Sequence, residues 1–195
     1  MLLLLGPGAR HHFQRLPYFG PVEINGTDTT YYTLPDWKLT DEEGQEFILH
    51  SLKGKFWLAA FFSVSDTNIV KITKRLLYFT DRYIDEPDIQ VICFNIDPNG
   101  NDVNSLREYI DKMPTYDGSL KKIRFLTATP ERMDSLLQSF QVADIKREEI
   151  FRLVDADGHI RGKYGNTEYH IGDAISDAGM IKKEYDRKKA DESSK

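Results

Sequence analysis

The sequence predicts one α/β domain in which helices pack on both faces of a central mixed sheet. A chain of 195 residues with 40% hydrophobic residues can build one sizeable core and is short for two. Residues 55–62 and 89–96 form near-continuous apolar runs, which are typical of strands buried on both faces. Segments with apolar residues at helical spacing alternate with these runs, and that alternation predicts an α/β arrangement.

The predicted elements follow each other in a definite order. A hairpin comes first, with its turn at residues 41–44, where Gly44 can adopt a positive φ. Strands are predicted at 36–40, 45–49, 55–62, 89–96, 123–128, 150–155 and 159–164. Helices are predicted over 69–83, 103–113, 130–140 and 171–185. Right-handed crossovers then give a mixed sheet with an antiparallel pair near its end, which is a thioredoxin-like fold.

Capping residues mark where three of these helices start. Asp66 or Thr67 is predicted to cap the first helix, and Asn101 or Asp102 is predicted to open the second. Thr129 precedes a proline, and this pair is typical of the first turn of a helix.

Both ends of the chain are predicted to lie outside the folded domain. Residues 1–33 hold prolines and glycines without a regular period, so we expect an extended arm before a domain at 34–188. Residues 189–195 are predicted to form a charged tail, with fraying from about Lys188. Residues 1–5 are apolar, but a membrane-spanning helix needs about 20 such residues. We interpret them as the remnant of a membrane-anchor region or, alternatively, as an ordinary N-terminus.

The charge balance argues against nucleic-acid binding. The chain has 26 basic and 31 acidic residues and a formal net charge of -5, so it has no basic field that attracts a polyanion. Cys93 is the only cysteine, so neither an intramolecular disulfide nor a zinc cluster of thiolates is expected. Because it lies within an apolar run, Cys93 is predicted to be a small core residue and not a reactive thiol.

The turn after the first apolar strand is the predicted functional region. In α/β folds, ligands usually sit where a strand ends and the next helix begins. We predict an interaction turn formed by Ser63, Ser65, Asp66, Thr67 and Asn68. Ser65 next to Asp66 lacks the oriented histidine that activates a serine hydroxyl, and helix capping is the simpler interpretation. No enzymatic activity is therefore expected.

Short motifs distributed from about Leu34 to Lys188 resemble the Sco/SenC family. In order, they are Leu34-Pro35-Asp36, Leu52-Lys53-Gly54-Lys55, Phe61-Phe62-Ser63, Ile96-Asp97-Pro98, Leu153-Val154-Asp155-Ala156-Asp157-Gly158 and Tyr164-Gly165-Asn166-Thr167. Segment 12–18 is similar to the stretch that follows the membrane anchor in bacterial members. The resemblance implies a copper-binding protein of thioredoxin fold in the periplasm or the mitochondrial intermembrane space, implicated in building the dinuclear copper site of cytochrome c oxidase.

The same resemblance places the family's metal site on residues that do not bind copper. The family uses a Cys-x-x-x-Cys pair in the strand-to-helix turn and a histidine before a later strand, a donor set that suits Cu(I). By this correspondence the first cysteine falls on Ser65, the second on Ile69, and the histidine on or next to Arg147. A hydroxyl, an aliphatic side chain and a guanidinium are not copper ligands. No cofactor is therefore expected.

We therefore expect a non-catalytic binding or assembly module. The resemblance points to a respiratory oxidase subunit or an assembly factor as its protein partner. It also points to the periplasmic face of the cytoplasmic membrane, with the cytoplasm as the alternative. A second hypothesis is a metal-handling protein with a rearranged copper site of histidine, methionine or carboxylate ligands, for which His11 with His12 and His159 with His170 are the histidine pairs. A third is an enzyme of unrecognised type, although the sequence shows no assembled nucleophile and base.

Overall fold

The computed structural model describes residues 15–67, 69–97, 99, 102–113, 119–142 and 149–193. Within these ranges the strands are β1 (Val22–Asn25), β2 (Asp28–Tyr31), β3 (Lys38–Asp41), β4 (Glu46–Ile48), β5 (Phe56–Phe62), β6 (Ile89–Asn95), β7 (Ile123–Thr127), β8 (Phe151–Val154) and β9 (Ile160–Tyr164). The helices are α1 (Ile69–Arg82), α2 (Val103–Asp111), α3 (Pro130–Ser139) and α4 (Glu168–Ser193), with short 3-10 helices at Leu49–Leu52 and Ser119–Lys122.

A seven-stranded mixed sheet forms the centre of the domain, in the order β4-β3-β7-β6-β5-β8-β9. Strands β5, β6 and β7 run parallel. Strand β3 pairs antiparallel with β4 and β7, and β8 pairs antiparallel with β5 and β9. The structure therefore confirms the predicted mixed sheet, the hairpin before β5 and the antiparallel pair near the end of the chain.

Strand β5 is buried on both faces because its side chains alternate between two hydrophobic cores. The core shared with α1, α2 and α4 receives Phe56, Leu58, Ala60 and Phe62. The core shared with α3 receives Trp57, Ala59 and Phe61. Every side chain of β5 is buried, so the near-continuous apolar run is explained by helices covering the sheet on both sides.

The arm contains a hairpin that the sequence prediction missed. Strands β1 and β2 pair through a two-residue turn between Asn25 and Asp28 and form a sheet of their own. Gly26 occupies this turn at φ +66°, a conformation that glycine adopts without the steric cost of a side chain. The Asn-Gly dipeptide beside the alternating Val22 and Ile24 is a hairpin signal. The prediction of an arm without strands was wrong for this segment.

The starts of α2 and α3 agree with the predicted boundaries. The carboxylate of Asp102 accepts hydrogen bonds from the N–H groups of Asn104 and Ser105 at 2.8 and 3.0 Å, so Asp102 caps α2. Helix α3 begins at the proline after Thr129, although the Thr129 side chain makes no capping hydrogen bond. Of the two predicted start signals, the structure therefore shows the proline at the first helical position and not the threonine cap.

Helix α4 extends further than predicted. The sequence predicts fraying from about Lys188, but the helix continues to Ser193. In its last turns the Lys189 ammonium lies 4.6 Å from the centre of the Tyr185 ring, and the Ser193 hydroxyl donates to the Lys189 carbonyl at 2.8 Å. The polar composition here belongs to a solvent-facing helix. Neither α4 nor any other helix in the described ranges combines the length and apolar content that crossing a membrane requires.

Buried Arg161 in β9 fastens the arm to the domain. Its guanidinium donates to the carbonyl oxygens of Leu16 and Pro17 at 2.8 and 3.2 Å and to the carboxylate of Asp155 at 3.0 Å. The Tyr18 ring lies over the same guanidinium, and the ring centre is 4.0 Å from the guanidinium carbon Cζ. Because a buried guanidinium needs partners for its donors, the arm and the sheet share one polar anchor.

Replacing Asp155 with asparagine is expected to lower the free energy of unfolding by about 3 kcal/mol at pH 7, because buried Arg161 loses its closest anion. Burial opposes ionisation of Asp155, but hydrogen bonds from His159 and Arg161 outweigh it and hold the pKa of Asp155 below its ordinary value. This stabilisation is present above the unfolded pKa of about 3.9 and is lost as the pH falls through the lower folded value.

Urea denaturation across pH tests this expectation. The difference in unfolding free energy between wild type and Asp155→Asn should be largest at pH 7 and should shrink below about pH 4. Asp157→Asn changes an exposed carboxylate in the same turn and serves as the matched control, with little expected effect. A difference that does not depend on pH would contradict the role given to the Asp155 carboxylate.

Candidate functional site

The turn between β5 and α1 lies at the carboxyl edge of the parallel strands. Strand β5 ends at Phe62, and α1 begins at Ile69, whose N–H donates to the carbonyl of Asp66 at 3.0 Å. Strand β6 ends beside this turn, because it runs parallel to β5 with Asn95 opposite Phe62. The predicted interaction turn is therefore adjacent to the turn that follows β6.

The carboxylate of Asp97 joins these two turns. Its Oδ2 accepts hydrogen bonds from the Ser63 hydroxyl at 2.6 Å and from the Ser65 N–H at 3.0 Å. Its Oδ1 accepts from the N–H of Asn99 at 2.9 Å. Asp97 is 1% exposed, so little water competes for these bonds, and hydrogen bonds to an ionised acceptor are strong in such surroundings. The shape of the β5–α1 turn is thus held by an acidic residue from the neighbouring strand end.

Asn95 adds a second connection between the same turns. Its Oδ1 accepts from the N–H groups of Val64 at 3.4 Å and Asp97 at 3.2 Å, and its side chain is fully buried. The sequence analysis assigned Asn95 to a buried strand and Asp97 to a family motif in a turn, so it missed both as site residues. The available signal was a pair of polar residues at the end of an apolar run, where burial demands hydrogen-bond partners.

The two residues that the resemblance equates with cysteine ligands lie on one groove. Ser65 is exposed, whereas Ile69 is half-buried and packs against the core beneath α1. Thr67 is exposed at the surface of the turn. Asn68 and Arg147 lie outside the described residues, so their assignments remain predictions.

The groove beside this turn runs between α1 and α2 and has a volume of about 460 Å³. Volumes of this size are typical of binding clefts. At its base Thr73 Oγ1 and the Tyr109 hydroxyl are 2.5 Å apart, and burial raises the pKa of Tyr109. Exposed Lys74 and Lys112 also line the groove. Apolar side chains are contributed by Val64, Ile69, Val70 and Met113.

Buried Arg152 in β8 holds both borders of the stretch that contains Arg147. Its guanidinium donates to the carbonyl oxygens of Phe140 and Gln141 on one side, each at 3.0 Å, and to that of Glu149 on the other side at 3.0 Å. Burial lowers the pKa of Arg152 to about 10. Nothing in the sequence distinguished this arginine from a solvent-facing strand residue.

The side chains at the turn do not fit the family's copper site. Cu(I) prefers soft sulfur and imidazole donors. The turn offers two hard serine hydroxyls, of which that of Ser63 donates to Asp97, and the aliphatic Ile69. Cys93 is fully buried in β6, and burial raises the pKa of its thiol well above the usual value, which confirms the predicted core role. In the part of the chain that the structure describes, no three His, Cys, Asp or Glu side chains cluster as metal ligands.

The sequence suggested two pairs of histidines as copper ligands. The structure describes one pair, His159 and His170, and each of these residues contacts its own local neighbours. His159 Nδ1 lies 3.2 Å from Oδ1 of Asp155, and His170 Nδ1 accepts the N–H of Gly165 at 3.2 Å. His11 and His12 are outside the described residues. His159 and His170 are thus each engaged by their own neighbours in the sequence.

Comparison with known proteins identifies relatives of this chain. A family model described as SCO1/SenC matches residues 25–178. The SCO1 protein homolog of Bacillus subtilis (strain 168) is 28% identical in a 166-residue alignment that covers 77% of this chain and 83% of the homolog. The structure of BsSco, a member of the Sco family of cytochrome c oxidase assembly proteins, is similar with a TM-score of 0.65 and 23% identity, over 77% of this chain and 93% of that one. Copper-bound yeast Sco1 gives a TM-score of 0.60 and 20% identity, over 74% and 88%.

These likenesses confirm the thioredoxin-like fold that the order of elements predicts. The match to the family model begins at the end of β1 and reaches into α4, so it includes the central sheet and the β5–α1 turn. The resemblance inferred from short motifs is therefore confirmed over most of the folded domain.

Replacing Asp97 with asparagine is expected to lower the free energy of unfolding by about 2 kcal/mol. A neutral amide accepts weaker hydrogen bonds than a carboxylate, and its NH2 group would face a donor in place of an acceptor oxygen. Ser63→Ala removes one of these bonds and should cost about 1 kcal/mol. Urea denaturation measures both values, and hydrogen exchange at the Ser65 amide reports the turn itself. Unchanged exchange at Ser65 in Asp97→Asn would contradict the role of Asp97.

Proposed function

The chain belongs to the SCO1/SenC family, and from that membership we propose that it is a non-catalytic binding or assembly module in the maturation of cytochrome c oxidase. The link to the oxidase comes from relatives such as BsSco, which is a member of the Sco family of cytochrome c oxidase assembly proteins. The observation that carries the proposal is the β5–α1 turn, where Asp97 binds Ser63 and Ser65 in a chain with a single, buried cysteine.

The chemistry of this turn supports docking over metal or thiol chemistry. A dithiol needs two neighbouring cysteines, and the chain has one. The Ser65 N–H and the Ser63 hydroxyl are both bound to a buried carboxylate, so they fix the backbone instead of awaiting a ligand. A turn whose backbone is already fixed loses little conformational entropy when a partner binds.

The surface proposed for the partner combines the turn with the adjoining groove. Val70 lines the groove and is 61% exposed, so the groove offers uncovered apolar area beside the turn. Lys74, Lys112 and Glu108 line the same groove, and Glu108 pairs with Lys112 at 3.8 Å, so these three side chains together carry one net positive charge. An oxidase subunit or an assembly factor that presents an apolar side chain with nearby acidic residues would complement this surface.

We also propose that the module works at the periplasmic face of the cytoplasmic membrane. The support is the resemblance of its sequence to bacterial members that act there, including the arm segment 12–18. A cytoplasmic location is the alternative.

Copper titration against a chromophoric chelator tests the loss of the family's metal chemistry. Wild-type protein is expected to bind Cu(I) no more tightly than Cys93→Ala, because the turn has no soft donor. The triple variant Ser65→Cys/Ile69→Cys/Arg147→His restores two thiolates and an imidazole and should bind Cu(I) orders of magnitude more tightly. A control with Ile69→Ser in place of Ile69→Cys has only one thiol at the turn and should not show this gain in Cu(I) affinity.

Each contrary result of this titration has a defined meaning. A triple variant that folds but does not bind Cu(I) would show that the correspondence of ligand positions is wrong. Tight one-to-one binding by the wild-type protein would replace the proposal with the rearranged copper site.

Complementation in the native organism tests the role in oxidase maturation. Deleting the gene is expected to lower cytochrome c oxidase activity in membranes, and both wild type and Cys93→Ala should restore it. Val70→Glu places a charge in the groove and should restore activity poorly. Tyr78→Glu is the matched control, because Tyr78 lies on the same helix with a similar exposure of 59% but does not line the groove.

The proposal fails if deletion leaves oxidase activity unchanged, or if Cys93→Ala is folded and stable but cannot restore activity. An equal loss of oxidase activity in Val70→Glu and Tyr78→Glu would exclude the groove as the docking surface.

A further inference from the structure

Both strands of the β1–β2 hairpin are exposed along their whole length. The hairpin forms a sheet of its own, so each of its strands has one edge that pairs with no other strand among the described residues. Two-stranded hairpins are marginally stable in water unless they pack on something or gain a further strand. An uncovered strand edge is also a template for another extended chain.

The pattern of hydrogen bonds shows which backbone groups of β1 face outward. The N–H of Tyr32 donates to the carbonyl of Pro21 at 3.1 Å, which makes these two residues a hydrogen-bonded pair. Such pairs recur at every second position of an antiparallel ladder, so Glu23 and Thr30 form the next one. Val22 and Ile24 occupy the alternate positions, and their backbone N–H and C=O groups therefore point away from β2. The outer edge of β1 therefore offers the N–H and C=O groups of both residues to an incoming strand.

The two faces of the hairpin differ in chemistry. Because side chains alternate along a strand, Val22 and Ile24 share one face, and they are 47% and 72% exposed. Tyr31 is opposite Val22 on that same face. Glu23 lies on the other face, opposite Thr30. The edge of β1 thus has an apolar face that is exposed at Val22 and Ile24, and a negative charge on the reverse face.

The base of the hairpin is fixed to the domain. Tyr31 stacks on Tyr18 with ring centres 3.9 Å apart, and Tyr18 in turn lies over the Arg161 guanidinium. The N–H of Leu34 donates to the carbonyl of Gly158 at 3.0 Å just after β2. An incoming strand would therefore meet a preformed edge, and preorganisation lowers the entropic cost of binding.

The charge of Glu23 selects the partner. An antiparallel strand that bonds to Val22 and Ile24 places one residue directly opposite Glu23, with both side chains on the same face. A second copy of this chain, paired edge to edge about that point, would set Glu23 against Glu23, and like charges in such pairs are destabilising. A lysine or arginine in that position would be attracted instead.

We propose that the outer edge of β1 binds an extended segment of a partner protein in which a lysine or arginine lies between two apolar residues. The segment becomes a third strand of the hairpin sheet, with backbone hydrogen bonds to Val22 and Ile24. Its apolar side chains cover the exposed face, and its basic side chain pairs with Glu23. Affinity comes from the backbone and the apolar contacts, and selectivity comes from the charge.

This edge is distant from the β5–α1 turn. Gly158, which holds the base of the hairpin, follows β8, and Val154 at the end of β8 pairs with Trp57 near the start of β5. The hairpin therefore lies toward the end of the sheet opposite Ser63. The inference does not rest on the proposed role in oxidase maturation, and the two can fail separately.

The test uses the isotopically labelled full chain and two capped peptides of about seven residues, one alternating valine with lysine and the other alternating valine with glutamate. The lysine peptide should shift the amide signals of Val22 and Ile24 and bind roughly tenfold more tightly than the glutamate peptide. Glu23→Lys should invert this preference, because it reverses the charge without changing the backbone edge.

Two proline variants separate the β1 edge from a general effect on the hairpin. Ile24→Pro removes one outward N–H of β1 while sparing the ladder to β2, and it should weaken binding of the lysine peptide roughly fivefold. Thr29→Pro removes an outward N–H from the other edge of the hairpin and should leave the affinity unchanged. Unchanged amide signals from β5 and β6 verify that both variants fold.

The inference is overturned if millimolar lysine peptide leaves β1 unperturbed, if the two peptides bind equally, or if both proline variants lose affinity alike. Dimerisation of the wild-type chain that Ile24→Pro abolishes would assign the edge to a second copy and would overturn it as well. Sedimentation of wild type and Ile24→Pro distinguishes that case.

Discussion

The burial of β5 on both faces is the constraint on which the rest of the structure depends. A strand with seven buried apolar side chains has no face to offer to water, so helices must cover both sides of the sheet. Polar side chains then gather where β5 and β6 end. Ser63, Asn95 and Asp97 meet there, and because burial demands partners for polar atoms, they bond to one another and set the shape of the turn.

Periodicity predicted the elements that pack on the core and failed for those that do not. The runs at β5 and β6 carry a strong signal because every side chain is buried or nearly so. Strands β1 and β2 have no buried face, so the local signals available were the short alternation of Val22 and Ile24 and the turn at Gly26. The end of α4 was missed for a similar reason, because a helix that extends into solvent is polar on all sides.

The residues of the site differ in the same way: some could be placed from the neighbouring sequence, and others only from contacts between distant parts of the chain. Ser65 and Ile69 could be placed at the turn because they follow directly from the end of β5. The role of Asp97 could not be predicted without knowing that β5 and β6 are parallel neighbours, since the bonded residues are more than thirty positions apart. The burial of Arg152 is also non-local, because two of the carbonyl groups that it binds, those of Phe140 and Gln141, lie 12 and 11 positions earlier in the chain. Cys93 was placed correctly because it lies inside a continuous apolar run, and β6 is buried on both faces.

Arg152 has a consequence for how this protein can change over evolutionary time. By binding the carbonyl oxygens of Phe140, Gln141 and Glu149, it secures both borders of the stretch between residues 142 and 149 to the sheet. These bonds use backbone carbonyl groups, so they do not require particular side chains at the three border residues. The resemblance places the family's histidine in this same interval, on or next to Arg147. A scaffold built in this way can keep its borders attached to the sheet while the side chains at those borders change.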